Sequence, residues 1–149
     1  MNLEYLKKLA TEFRSAILKC NRTSQLTTFH EFPKGFCGDA SILLSRYLKD
    51  MQQGTFINVS GEFNNNENFQ SHAWLQKKNI IVDITADQFN EVNCPIIVTT
   101  DDTWYKQFNH LEKWGAIIEN FKGPAKTNLL SSYKIIVSNI RKELRPGID

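Results

Sequence analysis

Cysteine is scarce in this sequence, and its pattern argues against a disulfide framework. There are three cysteines in 149 residues, an odd count at irregular spacing, which indicates a reducing compartment. With 41% hydrophobic and 23% charged residues, the composition is ordinary for a globular protein. The chain is long enough to bury a core without disulfides or metals. We therefore predict one domain that spans residues 1–149.

Long apolar runs and clusters of one charge sign are also absent. No run approaches the length of a membrane span, and the start of the chain lacks the apolar centre of a signal peptide. The formal net charge of +2 is too small to indicate nucleic acid or an anionic membrane as the main partner. These absences predict a cytoplasmic protein that binds neither, although secretion without a cleavable signal would leave no trace in the sequence.

Apolar side chains at three- and four-residue spacing predict helices towards both ends of the chain. The predicted helices cover 3–17, 36–54, 101–114 and 129–144. Asp101 or Asp102 is the expected cap of the third helix. Strands are expected between the helices, at 55–63, 71–85 and 94–100. The order of helix, helix, sheet, helix, helix predicts an α+β fold rather than a wound parallel sheet.

The stretch SHAWLQKKNIIVDITADQF (71–89) predicts a β-hairpin that brings His72 close to Asp83. With Lys77 and Lys78 as a two-residue turn, His72 lies directly opposite Asp83, with Cβ atoms about 4.5–5.5 Å apart. A turn at Lys78-Asn79 instead pairs His72 with Thr85, but keeps Asp83 on the same face of the hairpin.

Strand alternation separates this hairpin into a polar-aromatic face and an apolar face. The first face carries His72, Trp74, Gln76, Ile81, Asp83 and Thr85. The second carries Ala73, Leu75, Ile80, Val82 and Ile84. Since every residue of the second set is apolar, we expect that face to pack against a helix.

A carboxylate beside an imidazole fixes the ring tautomer and raises its basicity, as in a catalytic triad. His72 and Asp83 therefore predict a base and its orienting acid. The alternative is a cross-strand hydrogen bond that only stabilises the sheet, since structural pairs also perturb pKa values.

Cys37 begins the second predicted helix, after a Pro and Gly bend in FPKGFCGD (32–39). Free backbone N–H groups and the helix dipole at this position favour a thiolate. The same N–H groups, including that of Cys37, are oriented to donate to a developing oxyanion. A small buried residue that happens to begin a helix is the alternative interpretation.

Four segments in order, GFCGDASILLSRYL, SGEF (60–63) before a polar loop, SHAWL and IIVDIT, resemble the core of the transglutaminase-like branch of the papain-like cysteine enzymes. The resemblance runs from about Pro33 to Phe89 and places Cys37, His72 and Asp83 at the nucleophile, base and acid. It implies a helix that carries the nucleophile, packed on a small antiparallel sheet, with flanking N- and C-terminal helices.

The family's Asp-Pro-Thr is here Asp83-Ile84-Thr85, and the local signature of papain and cathepsin proteases is absent. The segment TADQF (85–89) is similar to small bacterial members of the superfamily, several of which are deamidases or proteases. Gln25 is the only glutamine in the loop region before Cys37 and is the candidate side-chain oxyanion donor, although its spacing from Cys37 is long.

The resemblance implies a cysteine enzyme that acts on an amide bond of a protein, peptide or small amide through a thioester. Protease, glutamine deamidase and transglutaminase-type acyl transfer all remain open, and so does the oligomeric state. No cofactor or metal is required. Trp74 is expected beside the site, where it either shapes the substrate pocket or packs.

The alternative function is a non-catalytic protein- or peptide-binding module on the same scaffold, with Trp74, Trp104 and Phe89 around a groove. A zinc site at Cys37, His72 and Asp83 is disfavoured because close ligand pairs are missing. Asp87 is a second choice for the acid, and Cys20 and Cys94 are expected to be packing residues.

Overall fold

The computed structural model describes residues 1–22, 32, 36–65 and 68–144. Its helices are α1 (Leu3–Arg22), α2 (Cys37–Asp50) and α3 (Gly123–Leu144). Its strands are β1 (Ile57–Asn65), β2 (Asn68–Lys77), β3 (Ile80–Asp83), β4 (Ile97–Thr99) and β5 (Asn109–Gly115). Single 3-10 turns occupy Ala86–Gln88, Trp104–Gln107 and Ile118–Asn120. The predicted α+β class is confirmed.

All five strands form one antiparallel sheet in the order β4-β3-β2-β1-β5. Strands β1 to β4 follow one another as a meander. The chain then crosses from β4, at one edge, to β5, which pairs with β1 at the other. Residues 100–108 make this crossing and cover one face of the sheet.

The aliphatic face of the sheet, defined by Leu75, Val82 and Ile84, packs against α1 and α2, and α3 packs on both helices. Helix α1 buries Leu6, Leu9, Phe13 and Ile17, which share one side at helical spacing. Removal of this apolar surface from water is the main stabilising contribution. The helices predicted at 3–17, 36–54 and 129–144 are confirmed, with somewhat different ends.

The aromatic face is defined by Val59, Trp74 and Ile81 of the sheet, together with the covering side chains. These covering side chains are Phe89, Tyr105 and Phe108, with Trp104 and Phe63 packed against them. The prediction that the two sides of the 71–85 hairpin face different environments is confirmed, since Trp74 and Ile81 belong to one cluster and Leu75 and Val82 to the other.

The turn predicted at Lys77-Lys78 is wrong by one residue. Lys77 pairs with Ile80 and Gln76 with Ile81, so Lys78 and Asn79 form the turn. Asn favours turns through its side-chain hydrogen bonding, and Lys78 takes the left-handed φ of 54°. His72 and Asp83 are therefore diagonal rather than directly opposite, on the same face.

The helix predicted at 101–114 is also wrong. Asp101 accepts a hydrogen bond from the Thr103 N–H at 3.0 Å, but only a 3-10 turn follows it. From Asn109 the chain is a strand, because the free edge of β1 provides hydrogen-bond partners for it. The helical spacing of Trp104, Phe108 and Leu111 reflects burial of the first two on the aromatic face, while Leu111 is 50% exposed.

Within the described part of the chain, none of the helices combines the length and apolar character needed to cross a bilayer.

Candidate active site

His72 lies on β2 and is fully buried on the aromatic face, with a side-chain exposure of 0%. Its Nε2 lies 2.7 Å from Oδ2 of Asp83, at the end of β3. Diagonal neighbours on adjacent strands are about 7–8 Å apart at the backbone, a distance that an imidazole and a carboxylate can bridge. The structure thus brings together the base and acid predicted from sequence.

Asp83 accepts hydrogen bonds at both oxygens. The Tyr105 hydroxyl donates to Oδ2 at 2.7 Å, and the Thr85 N–H donates to Oδ1 at 3.0 Å. Burial alone raises the pKa of Asp83, but His72, the Thr85 N–H and the Tyr105 hydroxyl outweigh it and hold the pKa below its ordinary value. Asp83 is therefore an ionised carboxylate in a buried position.

The His72 ring is held in its charged form. Burial, the largest single influence, lowers the pKa of His72, but the Asp83 charge and hydrogen bond, and then the Cys37 side chain, raise it to about 9. At neutral pH the pair is an imidazolium facing a carboxylate. A buried ion pair of this kind is stable only when both partners are hydrogen-bonded, as they are here.

Four aromatic rings surround His72 with centroids 5.3–5.8 Å from its own. They belong to Trp74, Phe89, Trp104 and Phe108. Trp74 is only 2% exposed and packs against the imidazole. The rings fix the plane of the imidazole and keep water from the Asp83 contact.

Gly61 lies directly opposite His72 on β1. A Cβ built there would lie 2.8 Å from Phe108 Cβ and 2.7 Å from Leu111 Cδ2. The β1–β5 register also shifts between Ser60 and Glu62. The absence of a side chain at 61 therefore allows Phe108 to pack over His72, which explains the glycine in SGEF.

Cys37 is the first residue of α2 and is partly exposed. Phe36, at the N-cap, makes no side-chain hydrogen bond to the first N–H groups of α2. The Cys37 side chain lies close enough to His72 to contribute to the raised pKa of that ring.

Two residues that contact the pair were not assigned this role from sequence. Tyr105 fell in the wrongly predicted helix, so nothing linked it to Asp83. Gln88 was noted only as part of TADQF, yet its Nε2 lies 2.8 Å from His72 Nδ1. The short spacing from Asp83 to Gln88 was the available signal, since a tight turn after a strand returns towards the same site.

Asp87, the second choice for the acid, binds an arginine instead of the His72 ring. It forms a bidentate ion pair with Arg14 of α1, at 2.9 and 2.8 Å. Arg14 is 9% exposed, so the contact is largely shielded from solvent. This pair fastens the Ala86–Gln88 turn to α1.

Gln25, the predicted oxyanion donor, lies outside the described residues. Of the two predicted packing cysteines, Cys20 is buried and Cys94 is exposed, with its Sγ donating to the Ile96 carbonyl at 2.8 Å. In the ranges that the structure describes, no three His, Cys, Asp or Glu side chains gather where a metal ion could bind.

Comparison of the chain with family models, with curated proteins and with solved structures found no match.

Proposed function

We propose that this protein is a cysteine enzyme that cleaves an amide bond through a thioester on Cys37. The observation that carries the proposal is the arrangement at His72, with Nε2 2.7 Å from Asp83 Oδ2 and the Cys37 side chain close enough to the ring to help raise its pKa. A base oriented by a buried carboxylate and facing a helix-terminal thiol supports nucleophilic catalysis.

The fold is consistent with a transglutaminase-like, papain-like core. Helix α2 begins at the proposed nucleophile and packs on β1 and β2, and β2 and β3 supply the base and the acid. The flanking helices α1 and α3 pack beside it. We base the family assignment on this arrangement and on the ordered sequence segments together.

In the proposed reaction, the Cys37 thiolate attacks the amide carbonyl, an S–C bond forms and the electron pair moves to oxygen. The oxyanion accepts a hydrogen bond from the Cys37 N–H at the start of α2. As the C–N bond breaks, His72 Nδ1 gives its proton to the leaving nitrogen, which departs as an amine or ammonia. A thioester and a neutral His72 remain.

Water then gives a proton to His72 Nδ1 and attacks the thioester carbonyl. The C–S bond breaks, the acid leaves and the thiolate–imidazolium pair is restored. A peptide bond as substrate makes the enzyme a protease, and a glutamine side chain makes it a deamidase. An amine in place of water makes it an acyltransferase; we propose hydrolysis. None of these steps requires a cofactor.

Access to the site is asymmetric in a way that suits this chemistry. His72 and Asp83 are 0% and 1% exposed, whereas Cys37 is partly exposed. A substrate therefore reaches the thiol from solvent, while the ion pair behind it stays shielded from water. The aromatic rings that the binding-module alternative would use, those of Trp74, Trp104 and Phe89, pack around His72.

The test is the pH dependence of iodoacetamide alkylation, followed residue by residue with mass spectrometry. Cys94 is exposed and serves as the reference thiol in the same sample. We expect Cys37 to react about tenfold faster than Cys94 near pH 6, where free thiols are almost entirely protonated. In His72→Ala, and in the larger His72→Gln, this advantage should disappear.

Labelling of Cys37 that follows Cys94 across the pH range in the wild-type protein would contradict the proposal. The constellation would then be structural, and the protein a binding module.

A further inference from the structure

Gln88 occupies the nitrogen of His72 that the proposed chemistry uses. Its amide Nε2 lies 2.8 Å from Nδ1, whereas Nε2 of the ring is occupied by Asp83. The Cys37 side chain also lies close to the ring. The Gln88 amide is therefore the partner that the structure shows at Nδ1.

The position of Gln88 is fixed by every residue around it in TADQF. Its backbone N–H donates to the Thr85 carbonyl at 3.1 Å, and the Phe89 N–H donates to the Ala86 carbonyl at 3.1 Å. Ala86 and Phe89 are buried, and Asp87 is ion-paired with Arg14. The turn is thus held on both sides, and the half-buried Gln88 side chain is presented to His72.

An amide is suited to a ring that changes its protonation state. A neutral Nδ1 accepts a hydrogen bond, which the amide NH₂ can donate. A protonated Nδ1 donates one, which the amide oxygen can accept. The amide nitrogen that lies at Nδ1 is the end that serves the neutral ring. A half-turn about the last side-chain bond brings the amide oxygen to the same place for the charged ring, so one residue serves both states.

We propose that Gln88 is a positioning residue that follows the proton on His72 Nδ1, accepting from the charged ring and donating to the neutral ring. The role rests on the proposed function, in which His72 loses and regains this proton. It matters most in the thioester stage, when the Cys37 sulfur is bonded to carbon and no longer pairs with the ring as a thiolate. Gln88 then holds the neutral ring in place, and the amide releases Nδ1 when that nitrogen takes the proton from water.

The titratable groups around His72 come from three elements. Asp83, at the end of β3, contacts the ring, Tyr105, in the crossing segment, contacts Asp83, and Cys37, on α2, lies close to the ring. Arg14 and Asp87 form an ion pair, so their opposite charges offset each other. A change at Gln88 therefore leaves the other charged groups around the ring in place.

The experiment compares Gln88→Met, which keeps length but removes the hydrogen bond, with Gln88→Glu, which keeps only the acceptor. The readout is the titration midpoint of the His72 ring by NMR. We expect a fall of about one pH unit in Gln88→Met, because hydrogen bonds to the charged form are the stronger ones. We expect a rise of about one unit or more in Gln88→Glu, where a carboxylate faces Nδ1.

Gln76→Met is the matched control. Gln76 lies on the same strand as His72. Its amide donates to the Lys78 carbonyl at 3.1 Å and accepts from Trp74 Nε1 at 3.5 Å, so neither bond involves the imidazole. The midpoint should not move in this variant. Cys37 alkylation near neutral pH should slow several-fold in Gln88→Met and stay unchanged in Gln76→Met.

Unchanged midpoints in both Gln88 variants would overturn the inference. A shift of the same sign in both would also overturn it, since loosened packing acts in one direction whereas the two substitutions act in opposite directions. The proposed function is judged separately, by Cys37 against Cys94 in the wild-type protein.

Discussion

One face of the sheet packs against helices through aliphatic side chains, whereas the opposite face is covered by residues 100–108 and holds an ion pair. The residues of the aliphatic face follow patterns within single helices and strands. Burial of their apolar surface is the main contribution of this face to stability. The aromatic face surrounds His72 and Asp83 with rings and with hydrogen-bond donors from distant parts of the chain. The first face stabilises the fold, and the second fixes the geometry and charge of a potential catalytic base.

The largest effect on stability is expected on the aliphatic face. Leu44, on α2, is 1% exposed, and Leu44→Ala leaves a cavity that should lower the free energy of unfolding by about 2–5 kcal/mol. Leu111→Ala, at a 50% exposed position, should change it by about 0.5 kcal/mol or less. Urea unfolding measures both, and equal losses would show that the helical layer is not the main core.

The second prediction concerns pH and belongs to the aromatic face. The folded-state pKa of His72, about 9, is above the unfolded value of 6.5. The stabilisation is therefore complete below pH 6.5 and is lost as pH rises through 9, with an amplitude of about 3 kcal/mol. The Asp83 contribution is lost instead as pH falls below its unfolded value of 3.8.

Urea unfolding between about pH 6.5 and 9.5 checks this slope against His72→Gln, which removes the titrating ring. The wild-type protein should lose stability over this range, and the variant should lose much less. Parallel curves for the two proteins would mean that the pair is not charged in the folded state.

Tyr105→Phe tests the buried hydrogen bond on the aromatic face, because it removes only one hydroxyl. Loss of the hydrogen bond to the buried Asp83 carboxylate should lower the free energy of unfolding by about 1.5–3 kcal/mol. Tyr133→Phe is the matched control: its hydroxyl donates to Asp50 at 2.6 Å at an exposed site, where the loss should be below about 1 kcal/mol. Similar losses at both positions would contradict a special role for burial.

Gly61→Ala tests how closely Phe108 packs over His72. The added methyl group would meet Phe108 Cβ at 2.8 Å, and the resulting shift of β5 should cost about 1–3 kcal/mol. Gly115→Ala, also in the β1–β5 pair, meets only Ile117 at an ordinary 3.7 Å and should be nearly neutral. Comparable stability of the two variants would show that β5 tolerates displacement.

The aliphatic face was largely predictable, because α1 and α2 follow from three- and four-residue spacing within single segments. The two faces of the hairpin were also predictable. Moving a two-residue turn from Lys77-Lys78 to Lys78-Asn79 changes which residues pair but leaves each side chain on its face. His72 and Asp83 therefore meet in either register.

The aromatic face was predictable only in part. Tyr105 reaches Asp83 because residues 100–108 cross the sheet to pair β5 with β1, and this contact joins residues 22 positions apart. The local spacing around Trp104 and Phe108 resembles that of a helix. It carries no information about the free edge of β1, which lies far earlier in the sequence. Gln88 was close enough in sequence to Asp83 to be noticed, but its partner on β2 was not apparent.

The most direct test of the account is an NMR titration of the His72 ring in the wild-type protein, with the exposed His110 as reference in the same spectra. We predict that His72 titrates near pH 9, as an imidazolium held by Asp83 in a buried site. A midpoint at or below the ordinary value of 6.5 would contradict it. His72 would then be neutral at physiological pH, and the charged pair proposed to act with Cys37 would not exist in the resting protein.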